Sequence, residues 1–152
     1  MIKKFITFSL IFAAVVISLT YYNYQKQQTN LRGGEQTRFS IEFGQIPDSL
    51  MANQYGSFSW RVSAPESFNT KSTGIYWNYE SSPSALTKFD SPLAVGYHNY
   101  TEDYASGLFR LPDTFDLFMK FPKAGVVYLR AFAIIDNDYL WTQEKQIQVS
   151  AK

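Results

Sequence analysis

The chain has 152 residues and a mass of 17.5 kDa, the size of one domain. Lys plus Arg (14) nearly balances Asp plus Glu (13), for a net charge of +1. This balance excludes a strongly basic nucleic-acid-binding protein and an acidic disordered chain. The lack of cysteine excludes disulfides, thiol nucleophiles and cysteine–metal sites, and it indicates a bacterial or archaeal envelope protein held together by its core.

The first 22 residues predict a membrane segment. Lys3 and Lys4 precede a run without charged residues from position 5 to position 22. As a helix this run spans about 27 Å, close to the thickness of a bilayer's hydrocarbon core. A cleaved signal peptide is the alternative, but residues 18–20 make a poor small-x-small exit site. An uncleaved signal anchor through residues 5–22 is therefore expected.

The orientation of this anchor follows from the positive charges on its two sides. Lys3, Lys4 and the amino terminus lie before it, and Lys26 and Arg32 lie beyond it. The cytoplasmic side carries the excess of positive charge, so the amino terminus is expected inside the cell. The rest of the chain would then be extracytoplasmic on a single-pass membrane protein, or secreted if the segment is cleaved.

Residues 23–37 predict a linker, and residues 38–152 predict one folded domain. The linker is polar and contains the pair Gly33-Gly34, so it buries too little apolar surface to fold alone. After it, apolar and polar residues alternate with a period of two, which is typical of half-buried strands. Predicted strands cover residues 39–43, 57–63, 75–80, 115–121, 126–135 and 143–149. An all-β domain of six to eight strands is expected, with residues 126–135 as its central buried strand.

Three pieces of this domain resemble strands of the immunoglobulin-like and fibronectin type III-like families. Residues 56–65, with the inward Trp60 and a closing proline, are similar to the second strand; residues 121–133, with a glycine-led entry, resemble the sixth; residues 141–149 resemble the last. The resemblance implies an antiparallel β-sandwich and little about function, because such folds host many activities.

The one charged residue of the strand at 126–135, Arg130, indicates which residues of that strand face inward. If Tyr128 pointed into the core, Arg130 would point the same way, because residues two apart share a face. The expected inward set is therefore Val127, Leu129, Ala131 and Ala133.

Catalytic and metal-binding residues are sparse. His98 is the only histidine, and the chain has no G-x-S-x-G element and no P-loop, so no enzyme activity and no cofactor are expected. Asp136 and Asp138 offer oxygen ligands for Ca²⁺, but three adjacent residues cannot supply the six or more that it needs. A tight turn with positive φ at Asn137 or Asp138 is the favoured interpretation.

Residues 81–107 form the longest predicted segment without regular structure, and long segments of this kind are often functional. Tyr97, His98, Tyr100 and Tyr104 are its candidate binding residues, for a protein or a glycan, because tyrosine combines a stacking face with a hydroxyl. A binding role predicts that Tyr→Ser changes at 97, 100 and 104 together remove binding and leave the fold intact. Alternatively, these aromatics cover the open edge of the sandwich, with a short strand near residues 93–97.

The sequence thus favours a membrane-anchored, outward-facing binding or adhesion module. A structural subunit of a surface or secretion assembly is the alternative, and a small envelope enzyme is the third interpretation. Nucleic acid is not expected as a partner.

Overall fold

The computed structural model describes residues 39–65 and 68–152. In this part of the chain the regular structure is β-strand, apart from one 3-10 turn at Pro92–Ala94. The predicted anchor at residues 5–22 and linker at residues 23–37 lie outside the described residues. No helix among the residues described is long and apolar enough to cross a membrane.

In the described part of the chain ten strands build two sheets that pack face to face, so the predicted all-β architecture is confirmed. The strands are β1 Ser40–Phe43, β2 Ser49–Met51, β3 Gly56–Ser63, β4 Asn69–Asn78, β5 Asn99–Tyr100, β6 Phe109–Arg110, β7 Asp113–Met119, β8 Gly125–Ile135, β9 Asp138–Trp141 and β10 Lys145–Ser150. The smaller sheet has the order β1-β3-β7. The larger has the order β2-β10-β8-β4-β5, with β6 also on β4 and β9 also on β8.

The expectation of a purely antiparallel sandwich needs one correction. Strand β2 pairs in parallel with β10, whereas the other strand pairs are antiparallel. Strands β2, β5 and β6 have only two or three residues each. Alternation over so few residues carries no usable signal, which is why the strand count exceeds the predicted six to eight.

The core lies between the sheets and follows the predicted alternation. The smaller sheet contributes the inward residues of β3 and β7, and the larger contributes those of β8. Residues 127, 129, 131 and 133 of β8 are all fully buried, so the expected inward set is confirmed. The inward residues of these three strands are Phe58, Trp60, Val62, Phe115, Leu117, Met119, Val127, Leu129, Ala131, Ala133 and Ile135.

Trp60 links the two sheets at the centre of this core. Its ring stacks on Phe115 of the neighbouring strand, with 5.7 Å between centroids. Its indole Nε1 donates to Thr73 Oγ1 of the opposite sheet at 2.7 Å, and Thr73 in turn donates to the carbonyl of Phe132 at 2.5 Å. The buried indole N–H is thus satisfied where an unpaired donor would be costly.

Two strands differ from the predicted boundaries because polar side chains take over backbone roles. Strand β4 begins at Asn69, before the predicted residue 75, since buried Thr70 and Thr73 direct their hydroxyls to carbonyl groups of β8. The predicted last strand, residues 143–149, begins two residues later as β10, and a separate strand, β9, ends just before Thr142. The Thr142 hydroxyl there accepts the amide hydrogen of Ala131 at 3.0 Å, in place of a backbone carbonyl.

The position of Trp60 predicts a contrast with its neighbour Arg61, whose side chain is exposed on the other face of β3. Trp60→Ala should lower the free energy of unfolding by about 3–5 kcal/mol, because it leaves a cavity and removes the hydrogen bond to Thr73. Arg61→Ala should change it by about 0.5 kcal/mol. Chemical denaturation of the two variants measures the difference, and equal losses would contradict the register of β3.

A candidate binding surface on the larger sheet

The second half of the 81–107 segment lines the open edge of β4. Between β5 and β6, residues 101, 104 and 107 make backbone hydrogen bonds of 3.0–3.1 Å to Ile75, Thr73 and Lys71 of β4. The strand expected near residues 93–97 is instead β5, at Asn99–Tyr100, and a 3-10 turn occupies Pro92–Ala94. This half of the segment therefore covers the sheet edge, in agreement with the alternative interpretation of its aromatics.

Tyr104 closes the side of the sandwich. Its ring packs edge-on against Trp60 and Phe115, at centroid distances of 5.8 and 5.2 Å. Its hydroxyl donates to the carbonyl of Asp116 on β7, at 2.9 Å. Tyr104 therefore joins the edge of the larger sheet to the edge strand of the smaller one, and its ring is part of the packing.

The first half, residues 81–98, crosses the outer face of the larger sheet; we call it the covering segment. Beneath it lies Arg130, whose side chain points away from the sandwich core yet is only 3% exposed. Its guanidinium donates to the carbonyls of Ser82 and Ser84, at 2.9 and 3.0 Å, and to that of Thr142, at 2.9 Å. Its Nε donates to the hydroxyl of Tyr97 at 3.1 Å.

Glu144 holds the same segment from the other side. Its carboxylate accepts hydrogen bonds from the Ser81 hydroxyl at 2.6 Å, from the Ser82 amide at 2.7 Å, and from the Tyr97 hydroxyl. Burial raises the pKa of Tyr97 to about 12, and the hydrogen bond to Glu144 adds to this effect while Arg130 opposes it. Burial also acts to raise the pKa of Glu144, but its hydrogen bonds, first from Ser81 and then from Tyr97, hold the pKa below its usual value.

The middle of the covering segment is attached to β9. The Tyr139 amide donates to the carbonyl of Lys88 at 3.1 Å, and the Trp141 indole donates to the carbonyl of Asp90 at 2.9 Å. Lys88 Nζ also lies 3.3 Å from the carboxylate of Asp138. Both ends and the middle of the segment are thus fixed to the sheet.

The two aspartates considered for Ca²⁺ belong to a turn. Asp136 has a φ of 57°, so the positive φ falls one residue earlier than predicted. Asp138 pairs with Lys88 instead of converging with Asp136. Within residues 39–65 and 68–152 no group of three or more His, Asp or Glu side chains is placed to hold a metal ion.

Beside the covering segment, four aromatic side chains share the outer face of the larger sheet. We call Tyr76, Tyr100, Tyr139 and Trp141 the aromatic platform. Tyr76 stacks against Tyr100, its partner across the strands, and meets Trp141 at a 65° angle, with 5.6 Å between centroids in both pairs. Buried Phe132 supports Tyr76 and Trp141 from below. Tyr100 is 50% exposed, so the platform faces solvent.

Six of the tyrosine hydroxyls in the described part of the chain fall into two groups. Those of Tyr79, Tyr97 and Tyr104 bond to Lys123, Glu144 and Asp116 and so serve the fold. The three platform hydroxyls, at positions 76, 100 and 139, have no hydrogen-bond partner in the part of the chain that the structure describes. Burial raises the pKa of Tyr76, and the neighbouring phenols of Tyr100 and Tyr139 raise it further.

The four predicted binding residues are divided by this arrangement. Tyr100 belongs to the platform and His98 is exposed, whereas Tyr97 (5% exposed) and Tyr104 are packing residues. The expectation that tyrosines 97, 100 and 104 can be replaced together without loss of the fold is corrected, because two of them hold the structure together.

Sequence reasoning missed Tyr76, Tyr139 and Trp141. A signal existed for Tyr76, since the alternation of residues 75–79 places it opposite the inward Ile75 and on the outer face. No comparable signal marked the other two residues. Their place on this face depends on the pairing of β9 with β8.

The comparisons with known proteins show fold alone. No protein-family model and no curated protein matches the chain. Solved structures similar to it include superoxide reductase (neelaredoxin) from Ignicoccus hospitalis, with 18% identity over 74% of this chain and 80% of that one, and a TM-score of 0.38. The human F-spondin reeler domain has 16% identity over 74% and 93%, with a TM-score of 0.39. A cohesin module from a Clostridium perfringens family 33 glycoside hydrolase has 11% identity over 76% and 98%, with a TM-score of 0.35.

Two of the expectations can be set beside these neighbours. All are all-β domains, which agrees with a β-sandwich, but none is specifically immunoglobulin-like or fibronectin type III-like. The expectation that the chain has no enzyme activity is withdrawn, since the similar structures give it no support: three of them are those of an enzyme, superoxide reductase.

The division of the tyrosines predicts a difference between two matched substitutions. Tyr97→Phe should lower the free energy of unfolding by about 1–3 kcal/mol, because Arg130 and Glu144 each lose a buried partner. Tyr100→Phe should change it by less than about 0.5 kcal/mol. Denaturation at neutral pH compares them, and a Tyr97→Phe variant as stable as Tyr100→Phe would contradict the buried network.

Proposed function

We propose that this chain is an outward-facing binding module, carried at a membrane by residues 5–22, and that it binds its partner through the aromatic platform. The single observation that carries the proposal is the platform itself. Tyrosine and tryptophan offer a large contact area for few rotatable bonds, and they are enriched where proteins recognise partners.

The platform is preorganised, which supports binding further. The carbonyl of Asp90 holds the indole N–H of Trp141, and Phe132 packs beneath the ring. Tyr76 is held between Tyr100 and Trp141. Because these side chains are already ordered, less conformational entropy is lost when a partner binds. The polar network of Arg130 and Glu144 serves the platform indirectly, since it fixes the covering segment at its border.

The outward orientation can be tested because the chain has no cysteine of its own. Ala151→Cys, at an exposed position after β10, should react in intact cells with a maleimide that does not cross membranes. The matched Ile2→Cys variant should react only after the cells are permeabilised. The chain should stay in the membrane fraction, at the mass of the full sequence. Labelling of position 2 alone in intact cells, or recovery of a soluble chain shortened by about 20 residues, would contradict the anchor.

The platform can be tested whatever the chemical class of its partner. The full chain with Tyr100→benzoylphenylalanine, irradiated in its native cells, should form one defined covalent adduct. The same photo-reactive residue in place of Tyr55 should not form this adduct. Tyr55 is exposed and lies just before β3, a strand of the smaller sheet. The absence of an adduct at 100, or the same adduct from both positions, would contradict recognition by the platform.

A further inference from the structure

We propose that the aromatic platform takes a neutral carbohydrate, a chain of at least two sugar rings. This inference rests on the proposed function and names the ligand class of the same surface. It follows from the hydroxyl groups, the charges and the spacing of the rings.

The hydroxyl groups point to a ligand that both donates and accepts hydrogen bonds. Three phenols, on Tyr76, Tyr100 and Tyr139, lie on the outer face of the larger sheet without a partner among the residues that the structure describes. A phenol O–H is at once donor and acceptor, and so is each hydroxyl of a sugar. Carbohydrate hydroxyls can therefore satisfy the three phenols in either direction.

The charges at the border of the platform favour a ligand without charge. Lys88 and Asp138 pair with each other, and the carboxylate of Asp90 accepts hydrogen bonds from the amide and hydroxyl of Thr87, at 2.6 and 2.8 Å. Arg130 and Glu144, farther under the covering segment, are occupied by its backbone and hydroxyl groups. A strongly ionic ligand would be stripped of water here without a matching charge to compensate it.

The spacing of the rings favours a chain of sugars. Tyr100 on β5, Tyr76 on β4 and Trp141 on β9 follow one another in two steps of 5.6 Å. The Trp141 indole N–H is already bonded to Asp90, so this residue offers its apolar ring alone. The apolar C–H faces of successive sugar rings can pack along such a row while their hydroxyls reach the phenols. A single sugar would leave part of the row uncovered.

The test uses the full chain, purified in a detergent that has no sugar headgroup. Neutral hexasaccharides of glucose, N-acetylglucosamine, xylose and mannose are titrated into it, and heat and tryptophan fluorescence are recorded. At least one should bind at millimolar concentration or below, and its hexasaccharide should bind more tightly than its monosaccharide.

The decisive variant is Tyr76→Phe with Tyr100→Phe and Tyr139→Phe. It keeps each ring and removes only hydroxyls that the described structure does not use, so the melting temperature should stay unchanged. Binding should weaken about tenfold or more, because three hydrogen-bonding groups are lost. The matched control is Tyr55→Phe, an exposed tyrosine outside the platform (61% exposed), which should bind as the unchanged chain does.

Two outcomes would overturn the carbohydrate proposal. One is no binding by any of the four hexasaccharides; the other is binding that the triple variant leaves intact. If the first outcome is accompanied by a protein adduct from photo-crosslinking at position 100, carbohydrate is rejected as the ligand class, while the platform's binding role, and hence the proposed function, stays in place.

Discussion

A buried guanidinium organises the outer face of the larger sheet. Arg130 lies on β8, whose other face is the sandwich core, so this strand is buried on both sides. A charge in such a place is tolerated only when its donors are bonded. The chain meets this requirement by laying residues 81–98 over the sheet, where two serine carbonyls and the Tyr97 hydroxyl reach the arginine. Glu144 then holds the same segment without taking a direct bond from Arg130.

The covering segment also determines which aromatic residues remain available to a partner. Tyr97, near the end of this segment, is buried beneath it. The residues that follow place Tyr104 against the side of the sandwich. The covering segment stops short of Tyr76 and Tyr100, and it borders Trp141 through the carbonyl of Asp90. The structural polar network and the proposed recognition surface are therefore neighbours on one face, and the first keeps the second ordered.

The candidate site was predictable only in part, for a reason that its tyrosines illustrate. Tyr97, Tyr100 and Tyr104 look alike in sequence, because a segment without regular periodicity does not indicate which side chains point inward. Their roles were decided by contacts far along the chain: Glu144 for Tyr97, Asp116 for Tyr104, and Tyr76 for Tyr100. A local pattern cannot encode a partner 12 to 47 residues away.

The sequence by itself determined the two-residue period of the longer strands, and with it the inward positions of Trp60 and of alternate β8 residues. These follow from local alternation, because a strand turns successive side chains to opposite faces. Only the tertiary structure decided that the outer face of β8 is covered as well, that β2 joins β10 in parallel, and that Tyr76, Tyr139 and Trp141 meet on one surface. Strand order and register bring these residues together. Both depend on pairings between segments that are distant in the sequence, and such pairings form only as the whole chain folds.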